Sequence, residues 1–165
     1  MSGQLCRFLA DDHARLDALL ERAIAPSDDI DRAAHTKFRT GLLKHISMEE
    51  KILLPAARRA RGGESLPLAA KLRLDHGALA ALLVPTPTPV IIATLRTILA
   101  VHNAIEEGPE GVYARCEQLV GAEADTLFAQ LRAAPEVPVA QHADGPRVSD
   151  AICRALTRAG YDIRG

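Results

Sequence analysis

Leucine side chains recur along the chain at the spacing of an α-helix. Because one helical turn takes 3.6 residues, apolar positions three or four apart lie on one face and can be buried together. The first such run extends from about residue 4 to residue 25 and contains Leu5, Leu9, Leu16 and Leu20. It predicts a first helix, and the turn-forming residues Pro26, Ser27 and Asp28 end it and offer an N-cap for the next.

The second run is longer and extends from about residue 29 to residue 61. Its apolar positions are Phe38, Leu42, Ile46 and Leu53. It ends in basic residues followed by Gly62 and Gly63, which is typical of a helix C-terminus. Pro55 interrupts the run, so the pattern predicts a second helix that Pro55 kinks or divides.

Two further helices follow. The third, from about residue 65 to residue 84, has Leu68, Leu72, Leu79 and Leu83 in step, and the prolines of residues 85–89 stop it. The fourth begins near Val90 and passes His102. The Gly108-Pro109-Glu110-Gly111 sequence predicts a kink or short break, after which residues 112–134 regain a helical composition.

Residues 135–147 contain three prolines and little apolar periodicity, which predicts a surface linker. Residues 148–159 then predict a short helix that docks on the body or forms an oligomer interface. Since no segment alternates as a β-strand would, we expect an all-α fold. The expected architecture is an up-down-up-down four-helix bundle over residues 1–134, with a kinked fourth helix, followed by a tail, residues 135–165, that ends in the short helix.

Composition narrows the range of partners and compartments. The formal net charge of −1 at pH 7 provides no basic field for nucleic acid. The chain shows no signal peptide and no apolar stretch near the roughly 18 residues that span a membrane, so we expect a cytoplasmic protein without a membrane partner. Its three cysteines are far apart in the sequence and predict reduced thiols rather than metal ligands.

The candidate chemistry lies in a motif that occurs twice. Residues 12–20 and 75–83 share six of nine positions and both begin with Asp-His, and each is followed by a His-x-x-x-Glu-Glu sequence. A single His-x-x-x-Glu indicates only that two side chains share a helix face. The repeat is much more specific, and it predicts a common metal site formed by His13, His45, Glu49, His76, His102 and Glu106.

Each of these six residues lies within the apolar face of its helix, so its side chain is expected to point inward. At a rise of about 1.5 Å per residue, all six come within about one turn of a common level. Burying two carboxylates and four imidazoles in an apolar core is costly unless a cation compensates them. This nitrogen and oxygen donor set favours two iron or manganese ions, with zinc as an alternative, and it lacks the thiolates of a structural zinc site.

Other polar residues near the motif are weaker candidates. Glu50 and Glu107 lie one position beyond the predicted ligands and are less favoured for metal contact. Asp12 and Asp75 could be helix caps, surface charges or acceptors for a ligand His N–H. Tyr113 lies seven residues after Glu106, where packing is favoured over a role at the metal. The two remaining histidines, His35 and His142, have no partner pattern and are predicted to be ordinary surface residues.

The order His, His-x-x-x-Glu, His, His-x-x-x-Glu over residues 13–106 resembles the hemerythrin-like HHE cation-binding family. That resemblance implies a four-helix bundle around a non-haem di-iron centre, with the six residues as ligands and Glu49 and Glu106 as bridges. The oxygen-carrying hemerythrins have a second histidine one turn from the third-helix ligand, whereas Leu72 and Ala80 flank His76 here. Their last carboxylate is an aspartate at longer spacing, replaced here by Glu106. These departures argue against simple reversible oxygen carriage.

Six protein ligands on two ions leave coordination positions for a small molecule. The leading hypothesis is a non-haem di-iron protein that binds, senses or reacts with O2, NO or peroxide. An enzyme of this kind would be a peroxide- or NO-consuming oxidoreductase. The alternative is an iron storage or sensing module that signals, without turnover, to a protein partner through the C-terminal segment, which could also form a homodimer. A metal-free interaction bundle is a third alternative.

Overall fold

The computed structural model describes residues 3–26 and 29–162, and every regular element within these ranges is a helix. The all-α prediction is therefore confirmed for this part of the chain. The proposed turn residues Ser27 and Asp28 lie outside the described residues. The helices are α1 (Gln4–Ile24), α2 (Arg32–Met48), α3 (Leu54–Ala60), α4 (Ala69–Leu82), α5 (Pro89–Glu107), α6 (Val112–Val120), α7 (Ala124–Arg132) and α8 (Pro146–Ala159).

The predicted second helix is continuous but changes its hydrogen-bond pattern before Pro55. Between α2 and α3 the chain forms a π-helical turn, Glu49–Leu53, and the Leu54 amide donates to the Glu49 carbonyl. A proline lacks an N–H group and its ring collides with the preceding turn of an α-helix. The wider π-helical turn accommodates Pro55 without ending the helix, and it begins at the predicted ligand Glu49.

The buried apolar residues form two clusters, one on either side of the predicted metal-ligand level. The Tyr113 cluster contains Leu5, Leu9, Met48, Leu72, Tyr113 and their neighbours. The Phe38 cluster contains Leu16, Phe38, Leu42, Leu79, Ile98 and their neighbours. On α1, for example, His13 lies between Leu9 of one cluster and Leu16 of the other. The layer of histidines and glutamates thus separates two apolar halves of the core.

The C-terminal helix docks on the body, as one of the two alternatives predicted. Leu156 of α8 is fully buried and belongs to the Phe38 cluster. Gly160, with a φ of 87°, ends α8 in the left-handed conformation that glycine adopts readily. The linker is also attached, because the Ala143 amide donates to the Val84 carbonyl at 3.0 Å.

The prediction that His35 is a surface residue is wrong. His35 is only 1% exposed, and its ring centroid lies 6.0 Å from that of His142, which is exposed as predicted. Its neighbour Arg39 is also buried and donates to two carbonyls at 2.7 Å, those of Leu83 and Ala140. The linker covers this face of α2, and a sequence pattern does not reveal such a long-range contact.

The prediction that no apolar stretch approaches the length of a membrane span is wrong for one helical stretch. The helical stretch Pro89–Arg132 contains an 18-residue window with a mean hydropathy of 1.2, so it meets the length and composition of a membrane span. This is weak evidence, because the core helix of a soluble protein meets the same test. The same stretch carries His102 and Glu106, both buried against the rest of the protein.

Gly111 allows the chain to turn tightly between α5 and α6. A Cβ atom at this position would lie only 2.4 Å from the Glu106 carbonyl oxygen, whereas one at Gly77 of α4 would meet nothing within 4 Å. We therefore expect Gly111→Ala to lower the free energy of unfolding by about 1–3 kcal/mol through overpacking. The matched substitution Gly77→Ala should be neutral or stabilising by up to about 1 kcal/mol. Urea unfolding measures both, and equal losses would contradict the steric explanation.

The buried imidazole of His35 should make stability depend on pH. Burial, with positive charge from His142, Arg39 and Arg32, lowers its pKa from 6.5 to about 4. Below pH 6.5, His35 therefore binds a proton in the unfolded chain, whereas in the folded protein it does so only near pH 4. The free energy of unfolding consequently falls as the pH falls from about 6.5 to about 4.

Between pH 7 and pH 4.5, the titration of His35 should lower the free energy of unfolding of the wild type by about 2 kcal/mol. We expect this part of the decrease to be absent in His35→Gln. Urea unfolding at the two pH values provides the measurement, and the titrations of other groups are common to both proteins and cancel. His142→Gln, at an exposed position, should keep most of the pH dependence. An unchanged pH dependence in His35→Gln would mean that another group is responsible.

Candidate metal centre

All six predicted ligands come together in the buried layer between the two apolar clusters. Their ligand atoms form two groups, and within each group these atoms lie within 4.8 Å of one another. The His13–His45 half consists of His13, His45, Glu49 and Glu106, and the His76–His102 half consists of Glu49, His76, His102 and Glu106. Every one of these side chains is at most 5% exposed. Either half could hold a metal ion.

The two glutamates belong to both halves and direct one oxygen into each. Glu49 Oε1 lies 3.2 Å from His45 Nε2, and its Oε2 lies 3.0 Å from His76 Nε2. Glu106 Oε1 lies 3.1 Å from His102 Nε2, and its Oε2 lies 3.4 Å from His13 Nε2. A carboxylate in this orientation can bridge two cations, which agrees with the bridging roles predicted for Glu49 and Glu106.

Each of the four histidines has a carboxylate at its other ring nitrogen. The Nδ1 atoms pair as follows: His13 with Glu107 at 2.5 Å, His45 with Asp12 at 2.8 Å, His76 with Glu50 at 2.7 Å and His102 with Asp75 at 3.2 Å. A carboxylate that accepts the Nδ1–H bond holds the ring in the tautomer whose Nε2 lone pair faces the centre. This arrangement is typical of metal-binding histidines.

These hydrogen bonds show what the four carboxylates whose roles the sequence left open do in the structure. Asp12 and Asp75 accept hydrogen bonds from the predicted ligands His45 and His102, which was one of their three predicted roles. Glu50 and Glu107 likewise contact histidines, so their carboxylates lie outside both groups of ligand atoms. Each Asp-His and Glu-Glu pair of the repeat thus supplies one predicted ligand and one carboxylate that pairs with a predicted ligand on another helix.

The internal repeat gives the layer an approximate two-fold symmetry. Within each repeat, the aspartate pairs with the histidine of the following His-x-x-x-Glu: Asp12 with His45 and Asp75 with His102. Between repeats, the second glutamate of one pairs with the first histidine of the other: Glu50 with His76 and Glu107 with His13. Two similar helical hairpins therefore complete one another's sets of candidate ligands.

Tyr113 also belongs to this layer: it packs in the Tyr113 cluster, as the sequence favoured, and in addition makes hydrogen bonds to the two shared glutamates. Its hydroxyl donates to Glu49 Oε1 at 2.5 Å and lies 3.0 Å from Glu106 Oε2. The same oxygen lies 3.0 Å from His13 Nε2 and 3.1 Å from His45 Nε2. Its spacing of seven residues from Glu106, two helical turns, was the available signal. The break at Gly108 and Pro109 leaves that alignment open in the sequence, and the tight turn at Gly111 decides it.

Without a metal, the layer balances its charges with protons. Burial opposes a charged imidazole, but Glu49 and Asp12 outweigh it and raise the pKa of His45 to about 10. In the same way, Asp75 and Glu106 overcome burial and raise the pKa of His102 to about 9. Burial would raise the pKa of Glu49, but His45 and His76 hold it well below its ordinary value. Metal binding would therefore compete with protons.

Tyr113 has the opposite balance. Burial, together with the negative charges of Glu49 and Glu106, raises the pKa of its phenol well above the ordinary value. The phenol accordingly keeps its proton in the metal-free protein and donates it in a hydrogen bond to Glu49.

The polar atoms of the layer fit metal ions. Three buried atoms of predicted ligands make no hydrogen bond of good geometry and are partnerless in that sense: Glu49 Oε2, Glu106 Oε1 and His76 Nε2. Two of them, Glu49 Oε2 and His76 Nε2, lie 3.0 Å apart, so they face one another without such a bond. Buried polar groups in folded proteins are nearly always satisfied, so such a group needs an explanation, and an ion is one of the few available. All three atoms belong to the His76–His102 half. A cation there would satisfy them together.

Comparison of the chain with protein-family profiles, with curated proteins and with solved structures found no match.

The outer carboxylates should matter for metal affinity although they do not reach the centre. Replacing Asp12 by Asn removes the charged acceptor at His45 Nδ1, and such changes typically lower metal affinity about 10- to 100-fold. Asp75→Asn should act similarly through His102. Competition with a chromophoric chelator measures the affinity, and Asp17→Asn, at an exposed position of α1, is the matched control. Equal affinities in Asp12→Asn and Asp17→Asn would contradict this role.

Proposed function

We propose that this protein binds two metal ions in the buried layer and that the native ions are iron. The observation that carries the proposal is the pair of ligand groups that share two buried carboxylates. The partnerless atoms of Glu49, Glu106 and His76 support it further. The donor set of imidazoles and carboxylates suits iron and manganese, admits zinc and contains no thiolate. The ligands are His13, His45, Glu49, His76, His102 and Glu106.

The architecture proposed for this centre is hemerythrin-like: an up-down-up-down four-helix bundle around two ions bridged by Glu49 and Glu106. The repeated motif and the pairing of outer carboxylates between repeats support it. The third helix differs from that of the oxygen carriers, since α4 has Leu72 and Ala80 on either side of His76. With six ligands on two ions, the centre keeps positions for an added molecule.

We propose that the added molecule is a small oxidant: O2, NO or peroxide. When bound, the ions would supply redox chemistry and an electrophilic binding position. The protein would hold them through four histidines oriented by carboxylates, while the two apolar clusters keep bulk water from the layer. The alternative is an iron storage or sensing module that signals to a protein partner without turnover.

The proposed setting is the cytoplasm. The near-neutral charge argues against nucleic acid as a partner. Contact with a protein partner or a second copy through the C-terminal segment would use the outer face of α8, because its inner face packs on α4 through Leu156 and Ala159.

Metal analysis tests the proposal directly. After anaerobic loading with iron(II), we expect two iron ions per chain, and a chelator should lower the melting temperature by several degrees because only the folded protein binds the ions. His45→Ala and His102→Ala should each lose metal. His142→Ala, at an exposed position, should bind as the wild type does. Less than one ion per chain, or a melting temperature unaffected by chelation, would reject the proposal in favour of a metal-free bundle.

Rates distinguish the enzyme from the binding module. The iron-loaded protein is mixed with peroxide or NO, and its consumption is compared with that by the same concentration of free iron. An enzyme should be much faster than free iron and should lose this rate in His45→Ala. Consumption no faster than by free iron would favour the storage or sensing module.

A further inference from the structure

Tyr113 breaks the two-fold symmetry of the buried layer. It lies seven residues after Glu106, and its hydroxyl enters the His13–His45 half. The residue seven positions after Glu49, the other bridging glutamate, is Ala56. Ala56 is buried but has no polar atom in its side chain. Of the two equivalent positions, only the one in the second repeat therefore supplies a further donor.

The distances from the Tyr113 oxygen to the donor atoms suit a further ligand of an ion. It is 2.5–3.1 Å from all four donor atoms of the His13–His45 half. Two neighbouring ligands on one ion, each bonded at about 2.1 Å and separated by a right angle, lie about 3 Å apart. A single oxygen at this distance from four predicted ligand atoms has the spacing that a further ligand of the same ion would have. Packing alone does not require such a position.

The partnerless atoms divide between the halves in the same way. In the His13–His45 half, the Tyr113 hydroxyl contacts every donor atom. All three partnerless ligand atoms, those of Glu49, Glu106 and His76, belong to the His76–His102 half. The second half therefore has one donor fewer and no side chain that fills the corresponding position.

We propose that Tyr113 is a seventh protein ligand, bound through its phenolate oxygen to the ion of the His13–His45 half, which leaves the open coordination position on the ion of the His76–His102 half. This inference rests on the proposed two-metal centre. It assigns different tasks to the two ions: protein donors would fill the coordination positions of one, and the other would bind the added molecule.

The ligation step is a proton exchange without electron transfer. The O–H bond of Tyr113 breaks, an oxygen–metal bond forms, and the proton passes to the solvent. In the metal-free protein, protons on the histidines compensate the negative charges of Glu49 and Glu106. When an ion is bound, its positive charge would compensate them instead. A bound cation commonly deprotonates a ligand whose ordinary pKa lies well above neutral pH.

A competing role for Tyr113 is a hydrogen bond to the bridging carboxylate. Its hydroxyl already donates to Glu49 Oε1 at 2.5 Å, and this bond could persist beside a bound ion. The two roles differ in a property that can be seen by spectroscopy. A phenolate bound to iron(III) has a charge-transfer band in the visible range, whereas a phenol bonded to a carboxylate has none.

The experiment compares wild type, Tyr113→Phe and Tyr161→Phe after loading with iron and oxidation to iron(III). The chain has only two tyrosines, so Tyr161→Phe is a complete control. Tyr161 lies two residues after the end of α8, with Lys71 Nζ 4.5 Å from the centroid of its ring. We expect the visible band, and the resonance-enhanced phenolate vibrations beneath it, in the wild type and in Tyr161→Phe but not in Tyr113→Phe.

Iron content separates failure of this inference from failure of the proposed function. Two iron ions in the wild type without the band would overturn ligation by Tyr113 and leave the metal centre intact. A band that survives in Tyr113→Phe would do the same. Should Tyr113→Phe bind too little iron for comparison, ring-deuterated tyrosine in the Tyr161→Phe protein provides the readout: unshifted vibrations would overturn the assignment.

Azide tests the position of the open site. Mössbauer spectra of the wild type should show two inequivalent irons. Azide should change the signal that Tyr113→Phe leaves unaltered, and the tyrosinate band should remain in place. Displacement of that band by azide would overturn the assignment of the open position to the His76–His102 half.

Discussion

The burial of charge is the constraint on which the rest of this structure depends. Two carboxylates and four imidazoles lie in one layer, with apolar side chains above and below it. Removing a charged group from water costs several kcal/mol unless another charge or a hydrogen bond compensates it. The outer carboxylates, the Tyr113 hydroxyl and the proposed ions each meet part of this demand. The layer is therefore a network whose members depend on one another.

The helices are irregular next to the shared carboxylates. Glu49 begins the π-helical turn that precedes Pro55, and Glu106 stands one residue before the end of α5. π-helical turns are rare and frequently occur at functional sites. The irregularity after Glu106 brings Tyr113 back onto the layer, since the tight turn at Gly111 lets α6 continue over the same face. Departures from regular helix geometry therefore help to form the site.

The repeat explains the symmetry of the layer, and the difference between the repeats explains its asymmetry. Each hairpin contributes the same donor types, but the histidine partners Glu50 and Glu107 cross from one hairpin to the other. Neither hairpin alone can complete a half of the centre. A tyrosine after one bridging glutamate and an alanine after the other then make the halves chemically different. In the proposed centre, a symmetric scaffold would in this way hold two ions with separate tasks.

The sequence by itself determined the helices and the identity of the six candidate ligands, because helical periodicity and a repeated spacing are local properties of the chain. The lengths of the helices also brought the six residues to one level. The π-helical turn required the structure, since Pro55 alone was compatible with a kink or a division. So did the burial of His35, because the linker that covers it lies more than a hundred residues away in the sequence.

Only the tertiary structure decided which atoms meet in the layer. The partners of the histidines come from neighbouring helices, so Asp12, Asp75, Glu50 and Glu107 could not be assigned from spacing. The hydrogen bonds of Tyr113 could not be predicted for a related reason: the course of the chain through Gly108 and Gly111 decides which face of α6 meets the layer. Local periodicity predicts which side of a helix is buried, but the donor that faces a particular carboxylate depends on how the helices pack.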